Sequence, residues 1–293
     1  MAAMAMPPQP WPTGEVEPLE PLVRRVLAPN GSPFTYTGTQ TYLVGGPDGV
    51  AVIDPGPAEA DHLAALERAI GGAPVVAILC THTHRDHSPA AAPLAERTGA
   101  PVVGCAPLVL DTGGPRADAP FDSTYAPDKV LADGDRVSGP GWTLTAVATP
   151  GHTSNHLCFA LEGTGALFTG DHVMGWSTTV VAPPDGDMAD YMASLDKLRA
   201  RGDRVYYPAH GPAVNNPRQL VRGMIGHRRQ RERQIVKLLG ESPQDIAAMV
   251  PRMYKGVNEY LWPAAGLSVL AHLIDLERRG VVARSGEIWT IAA

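Results

Sequence analysis

Residues 74–87 read Pro74-Val75-Val76-Ala77-Ile78-Leu79-Cys80-Thr81-His82-Thr83-His84-Arg85-Asp86-His87, and this stretch decides the fold. Its first part, PVVAILCT, is a continuous apolar run, the mark of a strand buried on both faces of a sheet. The second part sets His82, His84, Asp86 and His87 within six residues, where the strand ends and the chain turns toward a helix. His82 and His84 are two apart, so extended backbone points both side chains to one side. Asp86 and His87 lie past the turn and can point back into the same volume. Imidazole and carboxylate together suit a borderline divalent ion such as zinc.

Three more candidate ligands stand at strand ends downstream. They are His152 in Thr149-Pro150-Gly151-His152-Thr153, Asp171 in Phe168-Thr169-Gly170-Asp171, and His210 in Tyr207-Pro208-Ala209-His210-Gly211. The small residues beside each let the backbone come close to a crowded centre. Seven ligands exceed the needs of one tetrahedral ion and fit two ions that share a carboxylate. Asp171, with two oxygens to divide, is the expected bridge.

Outward from these motifs, short strands alternate with helices. Strands are expected over 34–44, 50–54, 102–105, 142–149, 156–161, 166–169 and 205–207. One helix carries Leu63, Leu66 and Ile70 and ends at Gly71-Gly72, a second spans about 88–97, and a third has Tyr191, Leu195 and Leu198 on one face. This pattern predicts an α/β sandwich over 34–214. Residues 1–33, with eight prolines, are expected to be an extended surface arm. Segments 108–128 and 173–187 have no period, and are either lids and substrate walls or tolerated surface insertions.

Residues 215–293 differ in character. A long helix carries Arg228, Arg229, Arg231 and Arg233. A second helix is expected to open at Ser242-Pro243 with Asp245 three residues on, an N-capping arrangement. A third has Leu267, Leu270 and Ile274 on one face and stops at Gly280, before two short strands at 281–284 and 288–291. Helix, helix, then hairpin is the order of a small winged-helix domain.

Composition narrows the classes. With 44% hydrophobic and 18% charged residues, the 293-residue chain has a soluble globular profile. No stretch approaches the ~20 apolar residues of a membrane span. No Lys or Arg precedes Arg24 and the start has no apolar core, so export is not expected and a cytoplasmic setting is. Cys80, Cys105 and Cys158 read as buried thiols of a reducing compartment. The net charge of −6 is uneven, since 1–214 carry −11 and 215–293 carry +5. A basic tail can meet a polyanion, or can simply present solvated helix faces.

HTHRDH, TPGHT, TGD and PAHG, in this order and spacing, resemble the metallo-β-lactamase superfamily and its glyoxalase II-like group over about residues 35–215. The resemblance implies a four-layer αββα sandwich with the site at one edge of its two sheets. It implies two zinc ions per chain, one held by His82, His84 and His152, the other by Asp86, His87 and His210, with Asp171 bridging. Asp54, in Val52-Ile53-Asp54-Pro55-Gly56, matches the family's first motif and is expected to support the metal loop. Gly170-Asp171-His172 through Ser177-Thr178-Thr179, Asp190-Tyr191-Met192 and the run into His227-Arg228, together with the winged helix, resemble the lactamase-like endoribonuclease branch. That branch implies cleavage of single-stranded RNA. This chain departs from it at Ser88-Pro89-Ala90, where two glycines are usual, and at Ala209, where Gly is usual. Both changes border ligands and bear on pocket shape and substrate.

Two ions sharing a water would lower its pKa from ~15.7 toward neutrality, giving a metal-bridging hydroxide as nucleophile. Asp86 would orient it and collect its proton as the catalytic base. There is no G-x-S-x-G elbow, so the expected chemistry is zinc-dependent hydrolysis. The substrate is read first as single-stranded RNA, because the arginine cluster 228–233 could contact phosphates. Against RNA, the catalytic part is acidic and no aromatic-interleaved basic groove is visible. The alternatives are a thioester, lactone or β-lactam hydrolase, and a winged-helix nucleic-acid binder with a relic hydrolase domain. The last is weak, since all seven ligands are present and helix 264–279 has only Arg278 and Arg279 as bases. His62 and His272 are expected to be surface or packing residues, and His156 and His172 to support the site rather than ligate. His227 is a possible contact with the catalytic part or the substrate.

Overall fold

A computed structural model describes residues 11–109 and 121–292. Strands β1 (Val16–Glu20), β2 (Val23–Leu27), β3 (Gln40–Gly46) and β4 (Gly49–Ile53) form an antiparallel meander. Helix α1 (Ala60–Ile70) then crosses to β5 (Val75–Cys80), and α2 (Ala91–Thr98) to β6 (Val102–Gly104); β7 (Lys129–Val130) closes the edge. From β4 to β7 the pairing is parallel, and the seven strands lie in sequence order. Parallel central strands covered on both faces require an apolar run, which is the run Val75–Cys80 supplies.

A second sheet has five strands. Strands β8 (Arg136–Gly139), β9 (Trp142–Ala148), β10 (Leu157–Leu161) and β11 (Ala166–Gly170) are antiparallel, α3 (Met188–Ala200) follows, and β12 (Val205–Pro208) returns parallel to β11. The two-residue period of a strand divides this sheet between two cores. Leu157, Phe159, Leu161, Phe168 and Tyr207 face the first sheet, while Cys158, Ala160, Leu167 and Tyr206 pack under α3 and the start of α4 (Pro217–Glu241). Helices α1 and α2 cover the first sheet. The expected four layers are therefore present.

Helix α4 has 25 residues and spans about 37 Å. Val221, Met224 and Ile225 near its start belong to the second core, whereas Ile235, Leu238 and Leu239 near its end build a third. The third core is completed by α5 (Ile246–Met253), α6 (Trp262–Arg278) and the hairpin β13 (Val282–Ser285) with β14 (Ile288–Ile291). This is the winged-helix order expected from the sequence. The tail is packed on the body: Ala271 of α6 joins the second core, and Arg278 pairs with Asp187 at the N-cap of α3.

Several local expectations are corrected. The segment expected as an extended surface arm contains β1 and β2, with Val23 and Val26 fully buried. Prolines 18 and 21 sit in the edge strand and the hairpin turn, where a missing N–H is tolerated. The strand expected over 34–44 begins only at Gln40, because Tyr36 turns the chain with φ 59°. Asp245 itself caps α5, accepting from the Ala248 N–H at 2.8 Å, whereas Ser242 ends α4. Strand β8 escaped the sequence reading because its half-exposed edge carries no apolar run. Part of the 108–128 loop lies outside the described residues. Its far end, Phe121 and Asp122, lies against His84 and Thr83, while loop 173–187 is anchored by the buried Val173 and Val181. Among the described residues no helix is long and apolar enough to cross a membrane.

Candidate metal centre

All seven residues expected from the sequence meet at the strand ends facing one edge of the two sheets. One potential ligand atom each from His82, His84, His152 and Asp171 lies within 4.8 Å of the others, and the same holds for Asp86, His87 and His210. His84 Nδ1 stands 3.0 Å from His82 Nε2 and 3.1 Å from His152 Nε2. Asp171 faces both groups. Its Oδ2 lies 3.7 Å from His152 Nε2 and 3.6 Å from His87 Nε2, and its Oδ1 lies 3.2 Å from His210 Nε2. Asp86 Oδ2 lies 3.4 Å from His87 Nε2 and 3.2 Å from His210 Nε2.

The far nitrogens of the rings identify the tautomers. His87 Nδ1 donates to Asp54 Oδ2 at 2.9 Å, and His152 Nδ1 donates to the Val180 carbonyl at 2.8 Å. His210 Nδ1 faces the Gly38 carbonyl at 3.3 Å. Carboxylates and carbonyls only accept, so each of these rings carries its proton on Nδ1. Thr81 Oγ1 donates to Asp54 Oδ2 at 2.8 Å, so at 3.0 Å it accepts from His82 Nδ1. Four Nε2 lone pairs therefore converge, each held by a partner on the opposite side of its ring. His87 Nε2 and Asp171 Oδ1 are buried and form no hydrogen bond. Buried polar atoms without partners are rare, and an array of bare imidazole nitrogens and carboxylate oxygens fits divalent metal ions.

The electrostatics agree. Burial, reinforced by the neighbouring imidazoles, holds His82 well below its ordinary value and His84 at about 3, so both are neutral near pH 7 and available to a metal ion. Burial opposes charge on His210 as well, yet Asp171 and Asp86 raise it to about 10. His87 is likewise raised by Asp86, Asp171 and Asp54 against its burial. Burial alone would raise both carboxyls, but His87 and His210 hold Asp86 and Asp171 well below the usual carboxylate range. The pocket favours positive charge, which protons or metal ions can supply.

Support comes from both sheets. Asp54, at φ 49°, also accepts from the Thr81 N–H at 2.8 Å, and so ties the end of β4 to the start of the histidine loop. Gly170, at φ 47°, allows close approach: a Cβ there would lie 2.7 Å from both Thr81 Oγ1 and His156 Nε2. The Asp171 N–H donates to His156 Nε2 at 3.2 Å, and Thr179 Oγ1 donates to the Asp171 carbonyl at 2.6 Å. His156 thus supports the site from behind, as expected, and His172 lies buried beside it. His62 and His272 are packing residues, both buried. The two departures from the branch motif fit locally. Ser88 donates to Asp122 at 3.0 Å, and Ala209 needs no positive φ. Thr81, Thr179 and the Val180 carbonyl are supports the sequence reading missed, since backbone and hydroxyl contacts leave no spacing signal.

The arginine cluster divides. Arg228 is buried under Tyr191 and donates to the Thr179 carbonyl, and Arg231 donates to the Met253 carbonyl and lies over Tyr254. Arg229 and Arg233 are exposed. On α6, Arg278 pairs with Asp187, and Arg279 with Glu232 and Asp275.

Fold and site together define a metallo-hydrolase architecture. Residues 35–210 match the model of the metallo-beta-lactamase superfamily, and residues 246–289 match that of the beta-lactamase-associated winged helix domain. The chain belongs to the metallo-beta-lactamase superfamily, a family of hydrolases. It is 35% identical to an atrochrysone carboxyl ACP thioesterase of Aspergillus fumigatus, over 77% of this chain and 67% of that one. It is 34% identical to a beta-lactamase-like protein 2 homolog of Drosophila melanogaster, over 88% of each. Among solved structures, a beta-lactamase domain protein from Burkholderia ambifaria superposes with TM-score 0.79 at 22% identity, over 96% of this chain and 94% of that one.

Proposed function

We propose that this chain is a hydrolase holding two zinc ions, and that its substrate is a thioester or related small acyl ester. The observation that carries the dinuclear reading is Asp171, whose Oδ2 lies between His152 of one ligand group and His87 of the other while its Oδ1 faces His210. In this reading His82, His84 and His152 hold one ion, Asp86, His87 and His210 the other, and Asp171 bridges. Residues 34–214, with β1 and β2 completing the first sheet, are the catalytic part and 215–293 the winged-helix part. Bound ions would supply Lewis acidity toward the attacked carbonyl and a lowered pKa for water.

The chain's own residues do the rest. The Asp86 side chain is 27% exposed against 12% for Asp171, so Asp86 is the carboxylate that reaches the solvent side of the site. It accepts from Thr39 Oγ1 at 3.4 Å, which fixes its orientation for holding a water and receiving its proton. Asp54, Thr81 and the Val180 carbonyl keep the imidazole protons away from the reacting side.

The acyl substrate rests on the relatives named as thioesterases and on the arginines. Half of the cluster read as a phosphate-binding surface is engaged inside the protein. A second reading, single-stranded RNA, is favoured by Arg222, Arg229 and Arg233, which are exposed along α4. A nucleic-acid-binding winged helix without catalysis finds less support, since both bases of α6 are engaged in ion pairs.

The test is a substrate panel on zinc-loaded protein: an acyl thioester of N-acetylcysteamine, single-stranded RNA, bis(p-nitrophenyl) phosphate, a lactone and a chromogenic β-lactam. The expected order by kcat/KM puts the thioester first. RNA cleavage at low enzyme concentration without thioester turnover selects the second reading, and zinc content well below two equivalents in active protein rejects the bridged centre.

A further inference from the structure

We propose that Arg228, on the long helix α4, is a positioning residue for the metal centre, acting through Thr179 on the backbone of Asp171. The inference rests on the two-ion reading above. Arg228 is 3% exposed, and none of the ion pairs among the described residues includes it. A guanidinium taken out of water without a carboxylate is costly, so its retention calls for a reason beyond packing. Its hydrogen bond to the Thr179 carbonyl supplies one.

Thr179 is where the supports of the site cross. Its hydroxyl is 2.6 Å from the carbonyl of Asp171 and 3.1 Å from that of His172. The next residue, Val180, offers the carbonyl that holds the proton of His152 on Nδ1. Two adjacent residues, Thr179 through its hydroxyl and Val180 through its carbonyl, therefore hold the backbone of Asp171 and the imidazole of His152, and Arg228 holds the first of them. A second path runs through Tyr191. The Arg228 guanidinium lies 5.1 Å from the centre of the Tyr191 ring, and the Tyr191 hydroxyl donates to the His172 carbonyl at 3.1 Å. Asp171 and His172 are thus held from the side of α4 by both partners of Arg228. Since α4 continues into the third core, Arg228 adds a buried polar link between the winged-helix part and loop 173–187, beside the apolar contacts of the second core and the Arg278–Asp187 pair.

Arg231, three residues on, makes the comparison possible. It performs the same two contacts, a bond to a carbonyl and a place over a tyrosine ring, but at Met253 and Tyr254. Losing Arg231 removes equivalent packing without touching the ligand loop.

The experiment compares Arg228→Met, Arg228→Lys, Thr179→Val and Arg231→Met with the parent protein. It measures the visible absorption of the cobalt(II)-loaded protein, the rate of zinc loss to a chelator and the thermal midpoint. Outer partners of ligands typically change metal affinity ~10–100-fold. Arg228→Met and Thr179→Val should each speed zinc loss by about tenfold or more and shift the cobalt spectrum. The double variant should add little, because both act through one hydrogen-bonded path. Arg228→Lys should restore part of the effect, while Arg231→Met should lower the midpoint and leave spectrum and loss rate unchanged. If Arg228→Met folds with parental spectrum and loss rate, the proposal is overturned. If it does not fold, a parental Thr179→Val overturns it equally. If Arg231→Met accelerates zinc loss as much as Arg228→Met, the effect is general loosening and the proposal is also wrong. A parent protein that takes up no metal defeats the two-ion reading itself, and the inference falls with it. With a parent that takes up two ions, the variants bear on Arg228 alone.

Discussion

Asp54 Oδ2 lies 2.9 Å from His87 Nδ1 and at the same time accepts from the Thr81 hydroxyl, so one carboxylate sets the tautomers of His87 and, through Thr81, of His82. Asp54→Asn replaces one acceptor by an amide N–H. It should weaken zinc binding ~10–100-fold, since a ligand's far-side partner is lost. Competition titration against a chromophoric chelator measures this; an unchanged affinity would show that Thr81 and the loop backbone suffice.

Asp171 and His210 should differ in what their removal costs. In the bridged reading, Asp171→Ala takes a donor from both ion positions, whereas His210→Ala takes one from a single position. Metal analysis is expected to give about two equivalents for the parent, near one for His210→Ala and below one for Asp171→Ala, following the ligand counts of bridged sites. Should Asp171→Ala keep its metal while His210→Ala loses both ions, the bridge is assigned to the wrong residue.

The α4 arginines separate the substrate readings. Replacing the exposed Arg229 and Arg233 together by Gln should leave thioester turnover and stability near parental. If RNA binds there, the same variant should flatten the salt dependence of its cleavage by about one slope unit for each phosphate no longer neutralised. Arg231→Ala should instead cost ~1–3 kcal/mol of stability, because the Met253 carbonyl loses its donor. Denaturant midpoints and a salt series on single-stranded RNA read the two effects apart.

Two buried histidines away from the ligands make stability depend on pH. Burial lowers His272 to about 3 and His62 to about 4; Arg228, His227, Arg279 and Arg231 push His272 in the same direction, while a bond to the Pro55 carbonyl partly offsets the shift of His62. The folded values lie below the ordinary ~6.5, so the unfolded chain binds more protons in this window. Their contribution is therefore full above ~6.5 and declines as pH falls toward the folded values, by about 2 kcal/mol per residue at pH 5. His272→Gln should lose about 2 kcal/mol less than the parent between pH 7 and pH 5. Urea midpoints at the two pH values check it, and equal losses in the two proteins contradict the assignment.

The sequence by itself determined the set of candidate ligands, because metal chemistry demands particular residue types and the strand ends place them at fixed spacings. His82, His84, Asp86 and His87 in one loop, and His152, Asp171 and His210 each beside small residues, were legible for that reason. So were the buried strand β5 and the winged-helix order, which follow from apolar runs and helical periods. Tertiary structure alone decided which polar contacts hold those ligands. Thr81 to Asp54 and Val180 to His152 join residues 27 and 28 apart, Thr179 reaches Asp171 across a loop without a period, and a hydroxyl or carbonyl leaves no pattern until the chain has folded. It also decided the fate of the arginines. Arg228, Arg229, Arg231 and Arg233 look alike in the sequence, but a helical period sends Arg228 inward and Arg229 and Arg233 to solvent, and only packing shows what waits on each side. The edge strands β1 and β8 belong to the same class, since an edge is held by its neighbour's backbone and needs little apolar sequence of its own.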